Sequence, residues 1–301
     1  MAGSTLPRRA LGRTLRNFRL RAGKGQFVSA RHVDMSPQCI SRMEDGQRVK
    51  ISTAQIRELL EFYGIANPSQ ERDDLLGLWD EVKQQDQVSR AMGTSKGWWR
   101  SYSDQFTPHF DHYLNLEAAS NHLTTHQLVM VHGLLQTPEY RRSLIKATHP
   151  DLSNVDVERR LELAARRQER LDDKNFRLDA ILSEATLKHR PGGLTVMVDQ
   201  LQHLADMGSR DNVSVRVVPF AVGTHAGLAL QSFGLLEFPP FANHLKEPPV
   251  VYVEGSVGAL YLDQEQVITR FQRAITDLQR VALSEDDTRE LLSATAKEYA
   301  K

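Results

Sequence analysis

Cys39 is the sole cysteine among 301 residues, so no disulfide can form within the chain and a reducing compartment is its natural home. Long apolar runs are missing too. No stretch approaches the roughly 20 residues of a membrane span, and the N-terminus lacks the apolar core of a secretory signal. The expectation is a cytoplasmic protein with no membrane partner. Net charge is also absent, with 38 Lys and Arg against 38 Asp and Glu, which excludes a uniformly basic surface. Enzyme signatures are lacking: there is no G-x-S-x-G and no Walker A sequence. The EGSVG run at 254–258 has the wrong spacing for a dinucleotide fingerprint. No catalytic activity and no cofactor are expected.

What is present is an uneven distribution of charge. Residues 1–68 hold 12 Lys and Arg and 5 Asp and Glu, leaving 26 basic and 33 acidic residues in the remainder. A basic module joined to an acidic one suits a DNA reader fused to a domain with a different partner.

The basic part contains a helix-turn-helix pattern. Leu11, Leu15 and Phe18 recur at i, i+4 and i+7, the apolar stripe of a first helix. Gln26 opens a shorter helix, in which Ala30 is small enough for another helix to approach. Asp34 and Met35 form the corner, because Asp tolerates left-handed backbone. Ser36 suits the cap of a third helix and Pro37 its first position. On that helix Ile40 and Met43 share one face, and Gln38, Ser41 and Arg42 the other. Gln pairs bidentately with adenine and Arg with guanine; Ser41 and Gln26 suit phosphate or base contacts. Arg16, Lys24 and Arg48 complete the expected DNA-binding set with Pro37, as basic groups for the phosphate backbone.

This segment resembles the XRE, or lambda-repressor-like, helix-turn-helix family. The resemblance is carried by Gln26, Ala30, then Ile40-Ser41-Arg42-Met43-Glu44 and Gly46. It implies a structural ion pair between Arg19 and Glu44. The chain departs from the family at Gly25, Ser29 and Asp34. A second resemblance, to the C-terminal domain of WhiJ-like actinobacterial regulators, is carried by LEAAS (116–120), HGLLQTPEY (132–140), RRQERL (166–171), PFAVGTHAG (219–227), SFGLLEF (232–238) and VVYVEGSVGALYLD (250–263). It implies developmental or antibiotic control, often with a small protein encoded nearby as partner.

The expected fold is multidomain: an all-α, five-helix helix-turn-helix domain over 1–88, a linker over 89–108 and an α+β domain over 109–301. The linker's second half, with Trp98 and Trp99, is expected to dock on the α+β domain. Apolar runs at 114–119 and 129–135 fit short strands or helix pieces, 176–185 fits a buried strand running into a helix or turn, 213–220 a half-buried strand, and further strands are expected at 230–238, 249–254 and 258–262. Helices are expected at 138–145, 155–171, 194–207, 267–283 and 284–299. His122 and His126 have the i, i+4 spacing that brings two ligands together on a helix, but no further ligand accompanies them and no metal is expected. The better pocket candidate is His225 in a glycine-flanked loop, with Glu237 and Glu254.

Taken together, the residues predict a DNA-binding transcription regulator that acts on double-stranded DNA in the nucleoid as a homodimer, its C-terminal domain binding a ligand or small protein. The alternatives are an enzyme targeted by its DNA module and an antitoxin-like protein-binding module.

Overall fold

The structure, a computed structural model, describes residues 6–91, 98–240, 247–255 and 258–301. They form two compact units, Met1–Ala119 with Phe238–Glu247, and Ser120–Glu237 with Pro248–Lys301. The division does not follow the expected boundaries at 88 and 109. Helix α5 (Gln70–Ala91) runs past the first, and a 3-10 turn (Trp98–Tyr102) and helix α6 (Pro108–Ala119) belong to the first unit. The expected linker residues Gly93, Thr94, Ser95 and Gly97 lie outside the described residues. Trp99 explains why its neighbourhood is no free tether: the indole is buried and donates its N–H to Asp111 on α6 at 2.8 Å.

In the first unit, α1 (Leu6–Arg21), α2 (Gln26–His32), α3 (Pro37–Glu44), α4 (Thr53–Phe62) and α5 enclose one core. The α1 stripe of Leu11, Leu15 and Phe18 is buried against it, as are Ala30, Ile40 and Met43. Local chemistry sets the ends. Ser52 and Gln55 form a reciprocal capping box that starts α4, and Gln55 also donates to the Val33 carbonyl at 2.8 Å, fastening α4 to the α2–α3 turn. Glu247 brings its segment into this unit: its side chain is fully buried and accepts from Arg9 Nε at 3.0 Å, meeting the demand of a buried charge for a partner.

The second unit is built on a six-stranded mixed sheet in the order β3-β2-β1-β4-β5-β6. Strands β1 (His122–Gln127), β2 (Arg177–Ser183) and β3 (Val213–Val218) are parallel neighbours; β4 (Phe233–Glu237), β5 (Val250–Gly255) and β6 (Gly258–Leu262) extend the sheet antiparallel from β1. Parallel pairs need crossovers, which α7 (Pro138–Thr148) and α8 (Asn154–Gln168) supply after β1, and α9 (Ala185–Lys188) and α10 (Leu194–Met207) after β2. Helix α11 (Glu265–Val281) lays Phe271, Ile275 and Leu278 on Ile181, Val218, Phe233, Leu235 and Val251 of the sheet. Helix α12 (Glu285–Tyr299) starts where Ser284 accepts from the Asp287 N–H at 3.1 Å. The expected α+β class is observed. Among the described residues no helix is long and apolar enough to cross a membrane.

The two apolar runs take the helical alternative, and the strand lies between them. The run 114–119 lies in α6, and 129–135 is a loop ending in a 3-10 turn, Gly133–Leu135. The central strand is the polar stretch between them, HLTTHQ. It is buried because its polar atoms are bonded: Thr125 Oγ1 donates to the Phe233 carbonyl at 3.0 Å, and His126 Nδ1 lies 3.2 Å from that of Ile181. Strand β3, expected to be half-buried, is covered on both faces.

Candidate nucleic-acid interface

The two short helices are joined through a corner whose strain falls on one residue. Asp34 has φ of 54°, the left-handed region that Asp tolerates better than bulkier side chains. Ser36 then accepts from the Cys39 N–H at 3.3 Å, and Pro37 opens α3 where no helical donor is required. The helix ends as abruptly. Gly46, with φ of 70°, donates to the Met43 carbonyl at 3.0 Å, and Gln47 to that of Arg42 at 2.8 Å, the pair of bonds that closes a Schellman end.

Between these stops α3 has two unlike faces. Ile40 and Met43 are buried; Gln38 and Arg42 are exposed and Ser41 is half-buried. Arg42 lies along the loop after the helix, its Nε donating to Gln47 at 3.2 Å and Nη2 to the Arg48 carbonyl at 3.4 Å. Both bonds are long and solvent-exposed, so a guanine edge can replace them at small cost.

Beneath this face lies a buried ion pair. Arg19 of α1 donates from Nε and Nη2 to the two oxygens of Glu44 at 2.5 and 2.8 Å, and its Nη1 reaches the Lys24 carbonyl at 2.9 Å. The fork matches the carboxylate in a setting from which water is excluded. It locks the end of α3 to α1, the arrangement implied by the resemblance.

Other expected DNA-contacting residues are placed differently. Gln26 donates its amide to Glu44 at 2.9 Å, so that nitrogen serves the buried network and is not free to read DNA. Lys24 is half-buried with its ammonium 4.8 Å from the centre of the Phe62 ring, a cation–π contact. Arg48 stays exposed, 3.9 Å from Asp86, and Arg16 is exposed on α1. Arg31 on α2 and Lys50 after α3 add exposed positive charge; their only signal in the sequence is the basic surplus. Gly12 has no such signal at all. A Cβ there would overlap the Met43 carbonyl oxygen and lie 2.8 Å from that of Glu44, so α1 crosses the end of α3 at a distance only glycine permits.

In the second unit the expected group of His225, Glu237 and Glu254 does not assemble. Register is the reason. Glu237 pairs with His122 at the start of β1, whereas His225 adjoins Gly227 and His126 near its end, roughly 13 Å along the strand. Glu254 stands in the β5–β6 hairpin, opposite Ala259. The same distance separates His122 from His126, which lie on a strand, not a helix, and cannot share an ion. Among the described residues no group of three His, Cys, Asp or Glu side chains is placed to hold a metal.

His122 instead donates from Nε2 to Asp179 at 2.8 Å and from Nδ1 to Glu237 at 2.9 Å. The bonds to Asp179 and then Glu237 outweigh burial and raise its pKa to about 9. A folded-state pKa above the ordinary value stabilises the folded form fully below about pH 6.5 and fades as pH rises through the folded value. Between about pH 6 and pH 10, the melting temperature of the wild-type chain should therefore fall further than that of His122→Gln. Equal falls in the two proteins would show that the ion pairs contribute nothing to stability.

Residues 110–294 match a domain of unknown function, DUF5753, and residues 10–75 match a helix-turn-helix domain. No curated protein and no solved structure matches the chain.

Proposed function

From the premise that this chain belongs to the DUF5753 family and carries a helix-turn-helix domain at residues 10–75, we propose that it is a sequence-specific DNA-binding transcription regulator. The observation that carries the reading is α3: Gln38 and Arg42 are exposed on it, while its opposite face is fixed by buried Ile40, Met43 and Glu44. A rigid helix with two base-pairing side chains on its free face suits the major groove. The finer kinship, with XRE regulators and with WhiJ-like C-terminal domains of actinobacteria, belongs to the same proposal, as does action in the cytoplasm at the nucleoid.

The C-terminal domain, on this reading, binds a ligand or a small protein encoded nearby and performs no catalysis. His122, held as a cation between two carboxylates, offers no lone pair to a substrate proton at neutral pH and so is no general base. A single recognition helix reads a short half-site, so the proposal includes a homodimer on two half-sites about 10 bp apart.

Selection of bound duplexes from a random pool, followed by footprinting, tests the reading. A recovered motif with two protected half-sites is expected, and recovery of no motif would refute it. On that motif Arg42→Ala should weaken binding by about 1–3 kcal/mol and relax preference at one base position. Arg16→Ala should weaken motif and scrambled DNA alike and flatten the salt dependence. Equal loss on both duplexes for Arg42→Ala would move that residue from base reading to phosphate binding.

A further inference from the structure

Helix α11 packs one side on the sheet and leaves a groove along the other. The opposite wall is the short turn Ala226–Ala229, and the cavity between them measures about 670 Å³, within the range of small-molecule sites. Ala226, Ala229, Leu230 and Ala274 make its apolar surface, and Arg270 and Arg273 stand at its edge. Small side chains on both walls leave the space open.

Charge decides what fits. Three other guanidinium groups of this unit are committed: Arg280 to Asp277 at 2.7 Å, Arg210 to Asp172 at 2.7 Å, and Arg216 to the carbonyls of Leu283 and Ala282 at 2.7 and 2.9 Å. Arg270 and Arg273 are exposed, and no carboxylate among the described residues lies in ion-pair range of either. They are three apart on one helix, so both can bear on one point. Glu265, the acid at the groove, sits in the first turn of α11, where its charge complements the helix dipole.

The turn also has an unusual underside. His225 Nδ1 is buried and finds no hydrogen-bond partner among the described residues, and the His126 ring beside it meets the Gly227 backbone. Both converge on Gly227, where a Cβ would lie 3.0 Å from His225 Nδ1, 2.8 Å from His126 Nε2 and 2.7 Å from Leu278. A turn seated over an unsatisfied buried nitrogen carries an uncompensated desolvation cost.

We infer that the groove between α11 and the Ala226–Ala229 turn is a binding site for an organic anion with an apolar body, whose charged head is held by Arg270 and Arg273. The inference rests on the proposed reading of this domain as a ligand binder and names the ligand's chemistry. The small apolar side chains accept the body, the guanidinium pair takes a carboxylate, sulfonate or phosphate bidentately, and the turn over His126 carries the signal towards β1.

The test uses the full chain without DNA. Anilinonaphthalene sulfonate serves as probe, and N-phenyl-1-naphthylamine as the same body without the charge. Wild type should bind the sulfonate saturably. The double variant Arg270→Gln/Arg273→Gln should weaken that binding about tenfold or more and leave the uncharged dye unaffected. Ala229→Trp, at an exposed position, should weaken both dyes by filling the groove. Retention of sulfonate affinity in the arginine variant, equal loss of both dyes, or no saturable binding by wild type would each overturn the inference. Because DNA is absent, these results are independent of operator binding.

Discussion

Glu44→Ala should melt the first unit rather than change what it reads. The substitution strands the Arg19 guanidinium, whose side chain is 8% exposed, and takes the partner from Gln26 Nε2 as well. Removing one member of a buried ion pair costs about 3–5 kcal/mol, against a total stability of roughly 5–15 kcal/mol for a domain. The expected drop in the melting transition of this unit is roughly 15 °C or more, with DNA binding lost in proportion to the folded fraction. Arg19→Met/Glu44→Leu should recover much of the loss, because matched apolar groups need no counter-charge. Calorimetry of the three proteins distinguishes the outcomes. An unchanged transition for Glu44→Ala would mean that the pair does not bear on stability, and an altered base preference at full stability would move Glu44 to the DNA.

Gly12→Ala should be destabilising, although the same change in an ordinary helix is favourable by about 1 kcal/mol. The added methyl meets two carbonyl oxygens at the end of α3, and backbone cannot rotate away as a side chain can. Relief requires α1 to lift from α3, which loosens the Arg19–Glu44 fork and the seat of the reading helix together. Overpacking of this kind costs roughly 1–3 kcal/mol or more, and specific DNA affinity should fall because α3 no longer projects at a fixed angle. The sign of the change in melting temperature checks it directly: a rise would mean that the two helices stand further apart than the structure has them.

The two variants probe one design. The face proposed to meet DNA is made by α3, but its position is set by what lies behind it: a glycine at the crossing and a carboxylate held by a fork. The groove on α11 lies in the other unit, so substitutions there test ligand binding without touching the reading helix.

Much of the reading helix was legible in the sequence, because its determinants act over a few residues. The left-handed Asp34, the cap at Ser36, Pro37 at the first turn and Gly46 at the exit are each local preferences of backbone and side chain. The spacing of Ile40 and Met43 against Gln38 and Arg42 needs only the period of a helix. The same holds for α10, α11 and α12, whose apolar residues recur at helical spacing. What needed the tertiary structure was every choice of partner across distance. HLTTHQ is a central strand because carbonyls of β2 and β4 satisfy its His126 and Thr125, and no local pattern announces a buried polar strand. Gln26 and Lys24 look like DNA contacts in isolation, yet Glu44 and Phe62 engage them. Strand register, which depends on the whole sheet, separates His225 from Glu237 and joins Glu237 to His122. Backbone conformation is decided by neighbours in sequence; hydrogen-bond and charge partners are decided by neighbours in space, which only the assembled chain specifies.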